Sequence, residues 1–546
     1  MTTAPLDDPF YYLNNFQCVL DWLTQRYADL LDGREQAFID DFAGLPKASQ
    51  ALLVRMVMRK GEHFRGSRLN YDEIGDTGTA VQPLLGLGWV RDDLPLTLES
   101  LFALLQKAEI VQAFQAPSRL KKTELYEWLV PSHVEPRPFA QWCPRVPDRL
   151  YSLQVMELCD RLRLMFFGNL YQDWSEFVLA DLGIFSYEKV EFHADSRGLR
   201  SRADVDGYLH LQAARQALEA GEAVAPVLEQ VLRLETDNPW LERRRGKLLF
   251  QLGQHCERLE DLAGALTIYQ GCRYPGARLR RIRVLERLGE HGLAMTLADE
   301  ALAVPESAEE EQHLQRILPR LRRRLGLPTV ARGAPVPVTR LDFSLSCEPH
   351  ESVEQRVARH LREEQGPVHY VENTLINSLF GLLCWQAIFA PLPGAFFHPF
   401  QSGPADLHSE DFHARRAELF AACLEQLADE RYKRTIRHHF VAKWGLQSPF
   451  VFWNVLTEEL LEQALECLPA AHLRHWFARL LLDIKANRAG MPDLIQFWPA
   501  QKTYRMIEVK GPGDRLQDNQ LRWLEFCHRH QMPVAVCYVQ WAEPAP

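Results

Sequence analysis

Two acidic residues and a lysine near the C-terminus have a spacing that suits phosphodiester hydrolysis. Asp493 follows a proline, and fourteen residues separate it from the tripeptide Glu508-Val509-Lys510. Carboxylates are hard ligands for Mg²⁺ or Mn²⁺, ions that proteins bind together with water and substrate phosphate oxygens. Such an ion lowers the pKa of bound water and neutralises charge on the phosphate under attack. The ammonium group of Lys510 is placed to orient the water or to neutralise the same charge.

Two short apolar segments around this motif predict a β-hairpin. Leu494–Trp498 and Thr503–Lys510 have the composition of strands, with room for a loop between them. Because side chains alternate along a strand, Glu508 and Lys510 share one face, and Asp493 approaches them from the neighbouring strand. The alternative is a turn-capping aspartate beside a solvated Glu–Lys pair, since short patterns often match by chance. The apolar neighbours favour a site, because unpaired charge among them is costly.

Three segments around the motif resemble the VRR-NUC branch of the PD-(D/E)xK nucleases. They are residues 487–493 (NRAGMPD), 507–516 (IEVKGPGDRL) and 520–524 (QLRWL). Within that branch they resemble the Fanconi-anaemia-associated nuclease family, as a bacterial-type member. The resemblance implies a structure-specific DNA nuclease that uses Mg²⁺ or Mn²⁺, with two ions. It also implies cleavage of branched double-stranded DNA near a 5′ flap, 5′-to-3′ exonuclease activity and a role in DNA repair, including that of interstrand crosslinks.

The same resemblance implies roles for individual residues. The metal ligands of the family fall on Asp493 and Glu508, with the carbonyl of Val509 as a further ligand. The catalytic lysine falls on Lys510. Gln520 matches a glutamine on the helix that follows the motif, and we expect it to contact DNA.

A third carboxylate is expected at Glu372. We predict a helix from Val371, with an apolar stripe that begins at Leu375 and with Glu372 in the first turn. A glutamate at that position ordinarily only complements the helix dipole. The family, however, carries a metal-binding glutamate on a helix upstream of the PD motif, and residues 370–385 match that helix in position and apolar pattern. The resemblance therefore implies that Glu372 binds metal and is catalytic.

The composition is typical of a globular protein that works in the cytoplasm. Apolar residues make up 47% and charged residues 25% of the 546 residues. We find no apolar run long enough to cross a bilayer and no signal sequence, so no membrane partner is expected. Eleven scattered cysteines predict free thiols and no zinc site. The net charge of −10 argues against a surface covered by nucleic acid, but it allows a local basic groove.

The N-terminal residues 1–92 predict a winged-helix-like DNA-binding module. A basic helix, a turn and a short wing-like strand follow one another in this region. An amphipathic helix with a solvated basic face is the alternative. The expected phosphate contacts are Arg55, Arg59, Lys60, Arg65 and Arg68.

Residues 93–131 resemble a SAP domain, a small helical DNA-binding module whose second helix begins with basic residues. Residues 118–129 (SRLKKTELYEWL) carry that start. Arg119, Lys121 and Lys122 then bring positive charge to a phosphate beside free helix amides. A generic helical hairpin is the alternative.

The central part of the chain predicts a scaffold. Residues 132–200 are a connecting region without an assigned role, with a possible strand over 177–192. Residues 201–327 indicate repeats like those of tetratricopeptide proteins, since FQLG and ERLG, ending at Gly253 and Gly289, recur 36 residues apart. Arginine clusters in these repeats line a DNA path or form solvated faces. A proline-rich linker is placed at 328–340 and the nuclease domain at 341–546.

The nuclease domain holds a dense basic segment, residues 431–443. We expect it to line the path of the cleaved strand, and Lys485 and Arg488 to lie close to the motif. Arg488 is expected to pair with a carboxylate of the site or to contact phosphate. His438 and His439 lack carboxylate or cysteine partners at ligand spacing, so a metal site there is disfavoured. The expected DNA contacts are Arg431, Lys433, Arg434, Arg437, Lys485 and Arg488.

Together these patterns predict a mainly α multidomain protein with a C-terminal α/β core of the PD-(D/E)xK, restriction-endonuclease-like type. Two other functions stay open. One is a related endonuclease that resolves four-way junctions or cuts other branched DNA. The other is a non-catalytic repeat scaffold, against which the intact Asp, Glu and Lys set argues. The sequence names no protein partner.

Overall fold

The computed structural model describes residues 8–172, 174, 185–328, 337–347 and 350–542. Helices dominate, and the chain divides into two compact units. The first comprises the described residues up to Ser186 with Leu199–Val205 and Phe397–Phe400, and the second comprises the remainder. Most of the expected linker and part of the possible strand over 177–192 lie outside the described residues. In the part of the chain that is described, every helix is too short or too polar to cross a membrane.

The first unit is helical around a small antiparallel sheet. Strand β5 pairs with β1 on one side and with β2 on the other, and all four of its residues are buried. A strand from the connecting region therefore completes the sheet of the N-terminal module. The strands of the first unit are β1 (His63–Arg65), β2 (Val90–Arg91), β3 (Pro95–Leu96), β4 (Arg137–Pro138) and β5 (Leu150–Leu153), of which β3 and β4 form a separate two-stranded sheet. Its helices are α1 (Tyr11–Tyr27), α2 (Gly33–Gly44), α3 (Lys47–Val57), α4 (Thr77–Ala80), α5 (Gln82–Gly86), α6 (Leu98–Leu104), α7 (Lys107–Phe114), α8 (Lys122–Leu129), α9 (Phe139–Trp142) and α10 (Met156–Phe167).

Two of the five cations expected to contact DNA in the N-terminal module are held inside it. Arg65 is buried and bridges Glu109 and Asp148 at 2.6 and 2.7 Å, so its prediction as a phosphate contact is wrong. Arg55 pairs with Glu73 at 2.6 Å. A buried cation needs such acidic partners, because desolvation otherwise makes its charge very costly. The other three, Arg59, Lys60 and Arg68, are exposed.

The predicted second helix of the SAP-like region is α8, and it packs in one apolar cluster with α6 and α7. Arg119 and Lys121 precede it and are exposed. The ammonium of Lys122 donates a hydrogen bond to the carbonyl of Leu105 at 2.8 Å, which ties the start of the helix to the end of α6.

The region of the predicted repeats is an array of helices, and the two motifs 36 residues apart do not occupy equivalent places in it. Gly253 lies inside a helix, where an added Cβ would meet the Tyr269 ring at 2.5 Å, whereas Gly289 lies between helices with φ +82°. The true equivalent of Gly289 is Glu260, 29 positions earlier, which also has a positive φ in the same turn. The helices of this array are α11 (Arg202–Glu219), α12 (Val224–Arg233), α13 (Pro239–Arg258), α14 (Leu262–Gly271), α15 (Ala277–Arg287), α16 (His291–Ala303) and α17 (Ala308–Arg324).

The C-terminal region contains a five-stranded mixed sheet in the order β6-β10-β9-β8-β7. Strands β6, β10 and β9 run parallel, while β8 is antiparallel to both β9 and β7. One face packs on a large helical cluster that includes Met506, and the other face packs on a smaller cluster that includes Ile507. The strands are β6 (Thr339–Leu345), β7 (Val368–Tyr370), β8 (Leu494–Trp498), β9 (Thr503–Lys510) and β10 (Val534–Trp541).

The predicted hairpin is thus β8 and β9, and β10 lies parallel beside β9. The helix that follows the motif begins at Asp518, and Pro469 separates the two helices over 458–467 and 470–482. The helices around the sheet are α18 (Val353–Leu361), α19 (Leu375–Leu383), α20 (Trp385–Ile388), α21 (Ala417–Glu425), α22 (Arg431–Ala442), α23 (Glu458–Cys467), α24 (Ala470–Leu482), α25 (Ile484–Asn487) and α26 (Asp518–Arg529).

Candidate active site

Three neighbouring strands bring the predicted acidic residues to one end of the sheet. Tyr370, the last residue of β7, pairs with Leu494 of β8, which in turn pairs with Ile507 of β9. The strands alternate in direction, so the end of β7, the start of β8 and the end of β9 lie side by side. The amide of Val371 donates to the carbonyl of Asp493 at 2.8 Å across this end.

Asp493 and Glu508 form the buried centre of the site. They are only 7% and 1% exposed, and the Val509 amide donates to Asp493 Oδ2 at 2.8 Å. The pKa of Glu508 is raised to about 7, first by burial and next by the charge of Asp493. The pKa of Asp493 is raised to about 6, first by burial, with Glu372 and Glu354 adding to the rise. Two buried acids that repel each other are stabilised by a cation placed between them.

Lys510 and Gln520 both hold the carboxylate of Glu508. Lys510 Nζ lies 2.8 Å from Glu508 Oε1, and it belongs to the same strand face, as alternation predicted. Gln520 Nε2, from the first turn of α26, donates to the same oxygen at 2.6 Å. Gln520 therefore orients the second acid of the motif, while its predicted contact with DNA stays a prediction.

A tight packing of α26 on the segment before the motif makes this arrangement possible. Trp523 Nε1 donates to the carbonyl of Ala489 at 3.1 Å. Gly490 has φ +90°, and a Cβ added there would lie 2.8 Å from Nδ2 of Asn519. Only glycine fits this close approach in a left-handed conformation. The glycine in the NRAGMPD segment thus brings the helix that carries Gln520 against the PD motif.

Glu372 lies in a turn, and the prediction that it starts a helix is wrong. Helix α19 begins at Leu375, and Asn373 has φ +53°, which no helical residue adopts. The side chain of Glu372 is held on both oxygens: Tyr370 Oη donates to Oε2 at 2.5 Å and Asn373 Nδ2 donates to Oε1 at 3.2 Å. Its charge acts on the buried acids, since it raises the pKa of both.

The donor set suits a divalent cation. Two buried carboxylates, a third within electrostatic range and one lysine leave the site short of positive charge, and oxygen ligands suit Mg²⁺ or Mn²⁺. Among the residues that the structure describes, no three His, Cys, Asp or Glu side chains converge closely enough to hold one ion as they stand. The reason is visible in the contacts, because Glu372 is turned toward Tyr370 and Asn373.

Most cations of the predicted basic segment are already paired. Helix α22 carries this segment, and its arginines and lysines meet acids on neighbouring elements or on the preceding turn. Surface pairs of this kind contribute little stability, but they balance the charge of the helix. The pairs are Arg431–Asp429 at 2.7 Å, Lys433–Glu430 at 3.2 Å, Arg437–Glu462 at 2.6 Å and Lys443–Glu188 at 2.8 Å.

Four residues of this helix, Arg434, Thr435, His438 and His439, line a cavity of about 450 Å³. Arg434 and His438 are exposed on its wall, and His439 is buried with Nδ1 at 2.6 Å from the carbonyl of Leu382. The cavity is thus lined by side chains of α22 and of the helices packed against it. The predicted contacts of this helix with DNA stay predictions.

A different group of cations is not balanced in this way. We call Arg243, Lys247, His408 and Lys485 the positive patch. The pKa of Lys247 is lowered by burial first and then by four cations, Lys485 and Arg243 among them. The pKa of His408 is lowered by burial and then by Arg488, Lys485 and Arg243, with Asp483 as the acid that opposes them. Crowding of like charge is stabilised by an anion such as a phosphate.

Arg488 is half-buried and serves the structure around the motif. Its Nη2 donates to the carbonyl of Pro449 at 2.6 Å, and its guanidinium lies over the ring of Phe450. The expected pairing with a carboxylate of the site is therefore wrong. The expected contact with phosphate stays a prediction.

Sequence reasoning missed the two residues that hold Glu372. Tyr370 and Asn373 stand directly around it in the sequence, yet neither forms part of a motif. It also missed Glu354, in the first turn of α18, whose charge raises the pKa of Asp493. The available signal was an asparagine before an apolar stripe, because asparagine tolerates a positive φ better than most residues.

Three family models match separate parts of the chain. One described as "FAN1, HTH domain" matches residues 10–91. One described as the Fanconi anemia-associated nuclease SAP domain matches residues 95–142. The VRR-NUC domain model matches residues 427–541, which include Asp493, Glu508 and Lys510.

Relatives of known name match the whole length. A Fanconi-associated nuclease 1 homolog of Pseudomonas aeruginosa is 60% identical over 99% of this chain and 98% of its own. A homolog of Arabidopsis thaliana is 25% identical over 97% of this chain and 67% of its own. A structure described as "Crystal structure of paFAN1 bound to 2nt 5'flap DNA with gap" has a TM-score of 0.94 at 60% identity and covers 99% of this chain and 100% of that chain. The chain therefore belongs to the Fanconi-associated nuclease family, and its C-terminal domain is a VRR-NUC nuclease.

Proposed function

We propose that this nuclease hydrolyses phosphodiester bonds of branched double-stranded DNA near a 5′ flap, with 5′-to-3′ exonuclease activity, as part of DNA repair. The observation that carries the proposal is the buried pair Asp493 and Glu508 with Lys510 beside them at one end of three adjacent strands. The structure described as paFAN1 bound to 5′-flap DNA is 60% identical to this chain, covers 99% of it and has a TM-score of 0.94.

The ions are Mg²⁺ or Mn²⁺, two of them, and the ligands proposed are Glu372, Asp493, Glu508 and the carbonyl of Val509. When bound, a divalent cation supplies a water of lowered pKa and neutralises phosphate charge. Asp493 and Glu508 are the fixed part of this ligand set, because backbone and side-chain hydrogen bonds hold them. Glu372 must release Tyr370 Oη to join them, which frees Oε2 while Asn373 stays bonded to Oε1.

Lys510 serves the reacting phosphate and water. Its ammonium is held 2.8 Å from Glu508 Oε1, so it reaches whatever oxygen approaches that carboxylate. A fixed positive charge there lowers the energy of the extra negative charge that develops on phosphorus. Gln520 keeps Glu508 in place while this happens, since its amide stays on the same oxygen.

The DNA path is proposed along exposed cations. The positive patch lies on the helical array, on the loop that holds His408 and on the segment before the motif, all within the second unit. Its excess charge attracts the phosphate backbone without reading sequence. The further contacts proposed are Arg119, Lys121, Lys122, Arg431, Lys433, Arg434, Arg437, Arg488 and Gln520.

Cleavage with Mn²⁺ tests the proposal on four substrates: a 5′ flap, a 3′ flap, a splayed duplex and a four-way junction. We expect the wild type to cut the 5′ flap fastest, and Asp493→Ala to cut none of them. Equal cleavage by both proteins would remove this site from the reaction. Preference for the four-way junction would make the chain a junction-resolving enzyme, and no cleavage by either protein would make it a scaffold.

A further inference from the structure

Asn373 stands at an unusual place in the chain. It has φ +53°, and it follows the proposed ligand Glu372 in the turn that links β7 to α19. A positive φ is strained for most residues, although asparagine tolerates it better than most others. This turn therefore holds a costly backbone conformation next to the chemistry, and such conformations persist where the surroundings enforce them.

The side-chain amide of Asn373 joins the two halves of the site. Its Nδ2 donates to Glu372 Oε1 at 3.2 Å, and its Oδ1 accepts from the amide of Met491 at 3.0 Å. Met491 lies two residues before Asp493. One planar amide thus connects the carboxylate in the turn with the segment that leads into the PD motif.

A second asparagine, Asn377, also joins this turn to the segment before Asp493. Asn377 is fully buried in α19, and its Nδ2 donates to the carbonyl of Asn373 at 2.7 Å and to the carbonyl of Arg488 at 2.9 Å. The turn and the segment before Asp493 are therefore tied at two points. Among the described residues its Oδ1 finds no hydrogen-bond partner, so Asn377 ties the junction through the two bonds that Nδ2 donates.

We propose that Asn373 is a positioning residue of the metal site, which sets the distance between Glu372 and Asp493. This inference rests on the proposed function, since it requires Glu372 to bind metal. The left-handed turn places Glu372 at the end of the sheet. The Asn373 amide holds the Glu372 carboxylate at a fixed position relative to the segment that leads into Asp493. Without the amide, the turn loses its tether to Met491, and the third carboxylate is no longer held ready for the ion.

Asn373→Gly isolates this effect, because glycine accepts φ +53° without strain and removes only the bridging amide. Gln531→Gly is the matched control, since Gln531 has φ +55° and is exposed in the turn before β10 of the same domain. We expect the Mn²⁺ concentration for half-maximal cleavage to rise about tenfold in Asn373→Gly, the size typical for groups that orient a metal ligand. The rate at saturating Mn²⁺ and the KM for DNA should stay close to wild type, and the control should match wild type throughout.

Calorimetric titration of Mn²⁺ must show the same loss of affinity, with an unchanged thermal midpoint of unfolding. A wild-type Mn²⁺ requirement in folded Asn373→Gly would overturn the inference while leaving the proposed function intact. Wild-type protein that neither binds Mn²⁺ nor loses activity in Asp493→Ala would instead overturn the proposed function. If Asn373→Gly does not fold, Asn373→Ser carries the same test, since its hydroxyl is too short to reach both partners.

Discussion

Two regions of the nuclease domain treat charge in opposite ways. Around Glu508 and Asp493, buried acids repel each other and their pKa values are raised, so negative charge is left in excess. Along helix α22, the cations that dominate the sequence are matched by acids on the surface. The buried end of the sheet thus keeps an excess of charge where desolvation makes charge costly. The exposed helix α22 has its charge neutralised by ion pairs where water already screens that charge.

The difference teaches that local imbalance of charge, and not its density along the sequence, marks a site that awaits a charged ligand. The end of the sheet is short of cations, which a divalent ion supplies. The positive patch around Lys485 and Lys247 is short of anions, which a phosphate backbone supplies. Most cations of helix α22 already have acids beside them, so DNA must displace those acids before it gains a contact there.

Removing the lysine of the site is the strongest test of this contrast. In Lys510→Ala we expect the rate to fall about 1000-fold, the scale typical for loss of a fixed charge at a developing oxyanion. Mn²⁺ affinity measured by calorimetry should be kept or improved, because the competing ammonium beside Glu508 Oε1 is gone. Lys502→Ala is the control and should cleave normally, since Lys502 is an exposed lysine of the loop between β8 and β9 that pairs with Glu466 at 2.9 Å. A Lys510→Ala enzyme within tenfold of wild type would show that the lysine is structural.

Removal of the third carboxylate is expected to cause the next largest loss of cleavage rate. In Glu372→Ala we expect a loss of rate of about 100-fold, because one proposed ligand disappears while the buried pair remains. DNA binding, measured by fluorescence anisotropy in the absence of cleavage, should be unchanged. Glu354→Ala is an informative companion, since Glu354 also acts on Asp493 by its charge. Near-normal turnover in Glu372→Ala together with loss in Glu354→Ala would mean that the wrong carboxylate was chosen.

The sequence alone was sufficient for the part of the site that strand geometry controls. Alternation along β9 and its pairing with β8 place Asp493, Glu508 and Lys510 together, and both follow from local pattern. The position of Glu372 was missed because the start of α19 is set by the positive φ of Asn373 and by its bond to Met491. That bond joins residues more than a hundred positions apart, which no local propensity reveals.

The same reason explains the other errors. Arg437 and Lys443 pair with Glu462 and Glu188, which are distant in sequence, so the neutralisation of these two cations is invisible in a basic run. Arg65 is buried between Glu109 and Asp148, which likewise lie far along the chain. The equivalence of the turns at Glu260 and Gly289 was hidden because the two positions share a backbone conformation, a positive φ, and not a residue type.

Because the pKa values of the two buried acids are raised, the Mn²⁺ requirement of the site is expected to depend on pH. Protons compete with metal for Asp493 and Glu508, whose pKa values of about 6 and about 7 are both above the ordinary range. Lowering the pH from about 8 to about 6 is therefore expected to raise the Mn²⁺ concentration for half-maximal rate about tenfold. If the Mn²⁺ concentration for half-maximal rate stays constant over this pH range, the pKa values of the two acids are not raised.

In the metal-free protein, rising pH is expected to lower the stability of the fold, whereas it favours metal binding. Because the folded pKa values exceed the unfolded ones, the folded state binds more protons between about pH 4 and about pH 7, and this contribution to stability is lost as pH rises. Thermal unfolding in chelator should therefore show a smaller fall with rising pH for Glu508→Gln than for the wild type. Saturating Mn²⁺ should remove the difference between pH values.

The smallest effect separates the positive patch from the balanced helix. Lys485→Ala should weaken binding of 5′-flap DNA about fivefold and reduce the salt dependence by about one phosphate contact, because its charge lacks an acidic partner among the described residues around it. Arg437→Ala should change affinity less than twofold, since Glu462 already satisfies that guanidinium at 2.6 Å. Affinity measured over a series of salt concentrations checks both. If the paired arginine matters more than the unpaired lysine, DNA competes successfully for ion pairs, and charge imbalance does not identify the surface that DNA contacts.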